Sequence, residues 1–292
     1  MVKRVRRMAR KRPPAAKANL LRGAAVFMPV SAGAEYQQAV VRTFELMRTE
    51  VTQSLSDLFQ HADSPVLDGT TLDASVVNAA AGLLRKLRRR FQGIFDQMSD
   101  KATARMIERT TGSAGAAVKR SLEEIGEGIS LNLNMQSATV KETIRAGSHE
   151  AAGLIKRVPS KFLDAIGDDV MRSISSGRGL ADLQPALEEH GVKVRNWAKN
   201  VALDQTRKVY NNVAREGFKS AGIRKFEWVH SGGSNDPREY HMLDWPAGLN
   251  GGIFDIDDPP VIDKRTGERG FPGQLPYCRC TMRPIVDFGD ES

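Results

Sequence analysis

The only two cysteines of the 292-residue chain stand one residue apart, in "PYCRC" at 276–280. Thiols at that spacing admit few chemistries. On an extended strand Cys278 and Cys280 would share a face, with Cα atoms about 6.6 Å apart at a rise of about 3.3 Å per residue. That is the upper edge of disulfide geometry, so a bridge between them would be strained. Three arrangements stay open. In the first, Cys278 and Cys280 are soft ligands of a structural metal, zinc being the candidate, with His241 third and His230, Asp236 or Asp244 fourth. That site needs a bend at Arg279, because thiolates on a straight strand are too far apart for one ion. In the second, three ligands hold a metal that activates water with Asp244 or Asp236 as base, or a thiolate paired with His241 acts as nucleophile. In the third, two small buried thiols pack against the Trp228 strand, while His241 and Arg238 bond to loop carbonyls and to carboxylates such as Asp255 or Asp257.

The neighbouring acidic run, Asp255, Asp257 and Asp258, lacks the interleaved glycine and distal glutamate of a calcium loop and reads as a strand end. Arg238 follows Pro237, whose ring fixes the local backbone, and suits a bidentate carboxylate contact, with a phosphate as the rival partner. No second activating group or oxyanion hole is legible. The main reading is therefore a structural protein rather than an enzyme, with no catalytic residues assigned.

The elements that must position these residues follow from periodicity. Val40, Phe44, Met47, Val51, Leu55 and Leu58 recur at helical spacing over 35–60. Val76, Ala80, Leu83, Leu87, Phe91, Ile94 and Met98 predict a second long helix over 72–98, whose outer side carries Arg85, Lys86, Arg88, Arg89 and Arg90. Those five cations either contact phosphates or form a solvated face. From 113 to 191 the pattern predicts several shorter helices with joints at "TGSAGA" and "SLNLNMQS", a capping box from Thr139 to Glu142, and a helix start at Pro159-Ser160. His149 and His190 read as surface residues. A helix over 194–221 then leads into "KFEWVHS", "GIFDID" and "CTMRPIVDF", each a strand between turn residues. The fold class is α+β: a mainly helical N-terminal region followed by a small α+β C-terminal domain with short antiparallel strands. The expected division is a basic, extended arm at 1–34, a helical region at 35–191, and a C-terminal domain at 192–292.

Charge is concentrated in that arm. Residues 1–34 hold Lys3, Arg4, Arg6, Arg7, Arg10, Lys11, Arg12, Lys17 and Arg22 and no acidic side chain, leaving 34 basic against 35 acidic groups in the rest. Such a segment cannot bury enough surface to fold alone, and closely spaced phosphates are its natural partner, because each one neutralised releases counterions. Non-specific double-stranded DNA is the expected ligand, and removing residues 1–22 should abolish binding. No stretch reaches the roughly 20 apolar residues of a membrane helix, and "LLRGAAVFMPVSAGA" imitates a cleavable leader only until Arg22 and Pro29 interrupt it. One thiol pair is no disulfide framework, which fits a reducing compartment.

The succession Asp204-Gln205-Thr206, Ala221-Gly222-Ile223, Phe226, Trp228, "HSGGSNDPREYH", "IFDIDDPP" and "PGQLPYCRCTMRPI" resembles the Mu-type phage head morphogenesis family of minor head, or minor capsid, proteins over 194–287. Pro237, Arg238 and His241 sit on that family's Pro-Arg-x-x-His positions, and Cys278, Arg279 and Cys280 on its Cys-Arg-Cys. Tyr277 stands where many relatives have asparagine, and Trp245-Pro246 where glycine is usual. The resemblance implies a protein made in the cytoplasm of an infected bacterium and built into the virion in few copies, at the portal vertex or in the head interior. Its implied partners are the portal protein, the major capsid protein and packaged DNA, with no membrane. A metal-dependent nuclease or hydrolase acting in packaging or ejection is the alternative.

Overall fold

The computed structural model describes residues 20–62, 72–126, 134–176, 179–232 and 237–287. In chain order the elements are β1 (Leu20–Arg22), α1 (Ser31–Ala62), α2 (Leu72–Glu123), α3 (Ala138–Ile155), α4 (Val158–Ser175), α5 (Gly179–Ser220), β2 (Lys225–Val229), α6 (Glu239–Met242), β3 (Ile253–Asp255), β4 (Val261–Asp263), β5 (Glu268–Arg269) and β6 (Thr281–Asp287). The α+β class holds, with helices first and short antiparallel strands after them.

The first helix forms where the apolar stripe demands it: Val40, Phe44, Met47, Val51 and Leu55 are all fully buried. The second outruns its expected end at 98 and continues to Glu123. Its first half buries Leu87, Phe91 and Phe95, with Ile94 turned outward. Its second half buries Ser99, Thr103, Thr110, Ala114 and Val118. Small and hydroxyl side chains separate the buried Met106, Val118 and Leu122 there, so no continuous apolar period announces it. The Thr103 hydroxyl bonds to Tyr36 Oη at 3.3 Å, and Tyr36 donates on to the Ala151 carbonyl at 3.3 Å. Burial pushes the Tyr36 phenol up to about 12.

The expected joint at "TGSAGA" is continuous helix. Its small residues let other chain approach: a Cβ on Gly115 would meet Met135 at 3.5 Å, and one on Gly217 of α5 would meet the same side chain at 3.2 Å. The cap before α3 also differs from expectation. Ser137, not Thr139, accepts the Val140 N–H at 3.3 Å, while Glu142 pairs with Arg145 at 2.6 Å. Pro159 lies in the first turn of α4 as expected, where its missing N–H costs no hydrogen bond.

The long helix α5 packs against α1, α2, α3 and α4 and is the centre of the helical layer. The expected division at 192 falls inside it. The pattern suggested a break beside Gly191, but that glycine serves a close crossing: a Cβ there would lie 2.6 Å from the Arg48 side chain of α1. His190, expected at the surface, is half-buried and bonds through Nε2 to Asp169 of α4 at 2.9 Å, whereas His149 is exposed.

The four-stranded sheet runs β1-β6-β2-β3, antiparallel throughout, with β4 and β5 as a separate pair. Phe226, Trp228 and Met282 are buried on one face and belong to the same core cluster as the helices, while Ile285, paired with Lys225, is buried on the opposite face. Three short strands, β1, β4 and β5, had no legible signal. β1 extends the sheet through Leu20↔Asp287 and Arg22↔Ile285. Beyond it, Gly23 N–H donates to the Pro284 carbonyl at 3.1 Å and Val26 N–H to the Met282 carbonyl at 3.0 Å. Gly23 has no room for a side chain, since a Cβ would fall 2.4 Å from the Ser121 carbonyl oxygen. Among the described residues, no helix is long and apolar enough to cross a membrane.

Candidate functional site

Cys278 and Cys280 do not lie in a strand. They occupy the turn-rich segment that ends where β6 begins at Thr281, and both are buried free thiols. The bend comes from two left-handed residues, Gly273 at φ 79° and Tyr277 at φ 62°. Asn211, on the buried face of α5, holds the segment at both ends: its Nδ2 donates to the Pro272 carbonyl at 3.1 Å and to the Cys280 carbonyl at 3.4 Å. Gly273 must be glycine beside it, because a Cβ would sit 2.2 Å from Asn211 Nδ2. Two turns earlier on α5, Asp204 accepts the Tyr277 N–H at 2.9 Å. Burial raises the Asp204 carboxyl, against the pull of that hydrogen bond and of Arg207.

His241 enters from α6 and is almost fully buried. Its Nε2 lies 2.8 Å from the Ile262 carbonyl oxygen. A carbonyl only accepts, so the ring proton belongs on Nε2 and donates there. Nδ1 faces Cys278 Sγ at 3.4 Å. The ring packs edge-on against Trp228, with centroids 5.0 Å apart. Ligand atoms of His241, Cys278 and Cys280 all lie within 4.8 Å of one another. At the rim, His230 follows β2, is half-buried, and places Nδ1 3.6 Å from Cys280 Sγ.

The two thiols differ in character. Hydrogen bonding from Cys280 draws the Cys278 thiol down, with His241 acting in the same direction, and the same partnership pushes Cys280 up. The indole N–H of Trp228 is buried with no partner of hydrogen-bonding geometry, yet it lies close enough to Cys280 to favour the sulfur's negative form.

Other expected site residues are elsewhere. Asp244 accepts from Asn250 Nδ2 at 2.7 Å and is outside the sulfur cluster, and Asp236 lies outside the described residues. The acidic run is dispersed. Asp255 accepts the Asp257 N–H at 2.7 Å, Asp257 pairs with Lys219 and Arg224, and Asp258 pairs with Arg269 at 2.5 Å. Lys219 holds the Asp257 carboxyl below its ordinary range. Among the described residues Arg238 makes no carboxylate fork. It donates to the Pro276 carbonyl at 3.0 Å and so braces the loop beside Cys278.

Of the arm cations only Arg22 is among the described residues, ion-paired with Glu227 at 2.9 Å; Lys3, Arg4, Arg6, Arg7, Arg10, Lys11, Arg12 and Lys17 lie outside them. On α2, Arg85, Lys86 and Arg89 are exposed, while Arg88 pairs with Asp164 and Arg90 with Glu50.

The motif residues scattered along α5 and the sheet thus have definite duties. Asp204 clasps the cysteine loop, Gln205 Nε2 donates to Glu150 at 3.2 Å, and Thr206 bonds back to the Ala202 carbonyl at 2.8 Å. Gly222, at φ 87°, ends α5 in a turn in which Ile223 N–H reaches the Phe218 carbonyl at 3.0 Å. Residues 164–283 match the family model described as Phage Mu protein F like protein. The C-terminal part of the chain is similar to that family. The Mu F-like match starts at 164, earlier than the motif series suggested, and takes in the last two thirds of α4 and the whole of α5. A protein of Haemophilus influenzae described only as uncharacterized is 27% identical over 165 residues, which are 56% of this chain and 34% of that protein. The chain therefore spans about a third of the length of that relative. No solved structure matches the chain.

Proposed function

We propose that this chain is a minor head protein of a bacteriophage, structural in role, that acts in head assembly at the portal vertex or in the head interior. The reading rests on one observation. Residues of the Mu F-like stretch that are far apart in sequence, Asp204, Trp228, Arg238, His241, Cys278 and Cys280, converge on a single loop and brace it from α5, β2 and α6. A stretch organised in this way around its own backbone is built to hold a shape, which suits a part that other subunits read by its surface. The partners proposed are the portal protein or the major capsid protein, together with packaged DNA held through phosphates without base readout.

The test is made on particles. Quantitative mass spectrometry of purified virions from a phage carrying this gene should find the chain at a small number of copies per head, and deleting the gene should lower the yield of filled heads. A chain absent from both mature heads and assembly intermediates, with normal head yield in the deletion, would overturn the reading.

A further inference from the structure

We infer that Cys278, Cys280, His241 and His230 form a structural zinc site that ties the end of β2, the helix α6 and the loop before β6 together. The distances suit the ion. Zinc bonds sulfur at about 2.3 Å and imidazole nitrogen at about 2.0–2.1 Å, so the sulfur-to-nitrogen edge of a tetrahedron is about 3.6 Å. Cys278 Sγ to His241 Nδ1 is 3.4 Å, and Cys280 Sγ to His230 Nδ1 is 3.6 Å. The three deeper ligand atoms are within 4.8 Å of one another, close enough to share a single centre, while His230 stands outside that group and reaches it through Cys280 alone, so its ring must move inward to complete the set.

The surroundings are those of a metal ligand set. His241 is held by a backbone carbonyl on Nε2, which leaves the Nδ1 lone pair aimed at the sulfurs, the outer-shell arrangement that orients metal-bound imidazoles. The buried indole N–H of Trp228, without a partner of good geometry, lies beside Cys280, where a metal-bound thiolate would accept it. Soft sulfur with imidazole selects zinc over magnesium or calcium, and four protein ligands close the coordination sphere, which makes the site structural rather than catalytic. His230 is the edge ligand, since it is half-buried whereas the other three are buried.

The test uses the full chain without a metal-binding tag, purified in reductant without chelator. Elemental analysis should find about one zinc per chain. Both thiols should resist a thiol reagent until the metal is stripped, and cobalt replacement should give a tetrahedral spectrum with sulfur-to-cobalt charge-transfer bands. His230→Ala should retain those bands, lose tetrahedral intensity and weaken metal affinity at least tenfold. If Cys278→Ser fails to fold, the metal content and cobalt spectrum of the unaltered chain still decide the matter. A folded chain that takes up no zinc from excess and whose thiols react at the same rate with or without added metal would overturn the site. A His230→Ala spectrum and affinity identical to the unaltered chain would overturn His230 as the fourth ligand. Neither result bears on whether the chain is found in virions.

Discussion

At the scale of single residues, Tyr277 carries the clearest tension. It is a bulky side chain, half-exposed, at φ 62°, where L residues other than asparagine and glycine rarely sit. Asparagine, usual at this position in the family the sequence resembles, tolerates that region because its short side chain bonds locally. Tyr277→Asn should therefore raise stability by about 1 kcal/mol, seen as a higher denaturation midpoint at unchanged slope. An unchanged or lower midpoint would mean that the tyrosine ring contributes packing that offsets the strain. The residue's backbone is committed independently of its side chain, because its N–H is held by Asp204. The sequence could flag the substitution as a departure but could not show its cause, which is a dihedral angle.

At the scale of elements, the helix α5 organises the site from behind. Asn211→Ala would leave the Pro272 and Cys280 carbonyls without their donor, at a cost of about 1–3 kcal/mol. It should also loosen the loop, which hydrogen exchange at the amides of residues 274–280 would detect as faster exchange than elsewhere in the sheet. Uniform exchange would refute a local role. Much of the site was legible before the fold was known: Cys278, Cys280 and His241 do come together, but the left-handed residues that turn the segment are Gly273 and Tyr277, not the expected Arg279. Asn211 was not legible, because a lone asparagine in a helix has no pattern around it. His230 was one of three candidates for the last position, and only the path of β2 separates it from Asp244. The helices show the same division. Stripes of large apolar residues announce α1 and the first half of α2, whereas in the second half of α2 the buried Met106, Val118 and Leu122 are interrupted by Ser99, Thr103, Thr110 and Ala114, and the stripe is legible only once its partners are in place.

At the scale of the whole molecule, one hydrophobic cluster runs through α1 to α5 and into the sheet, so the Mu F-like stretch shares its core with the helices that precede it. The strand β1 ties Leu20–Arg22 of the basic arm onto that body, and Arg22 is paired with Glu227. An arm truncation should therefore stop short of the strand. Removing residues 1–18 takes away eight of the nine cations and leaves β1 in place. The intact chain should bind random duplex DNA with an affinity whose logarithm falls by about 0.9 per contacted phosphate for each tenfold rise in salt, and the truncated chain should lose most of that binding and its salt slope. Binding that survives both truncation and high salt would place the contact on the exposed cations of α2 instead. The pairing of Leu20 with Asp287 has a mechanical consequence as well. Tension applied across that pair would peel β1 from β6 one residue at a time, an unzipping that yields at low force, while the remainder of the sheet, held between β6, β2 and β3, would stay closed.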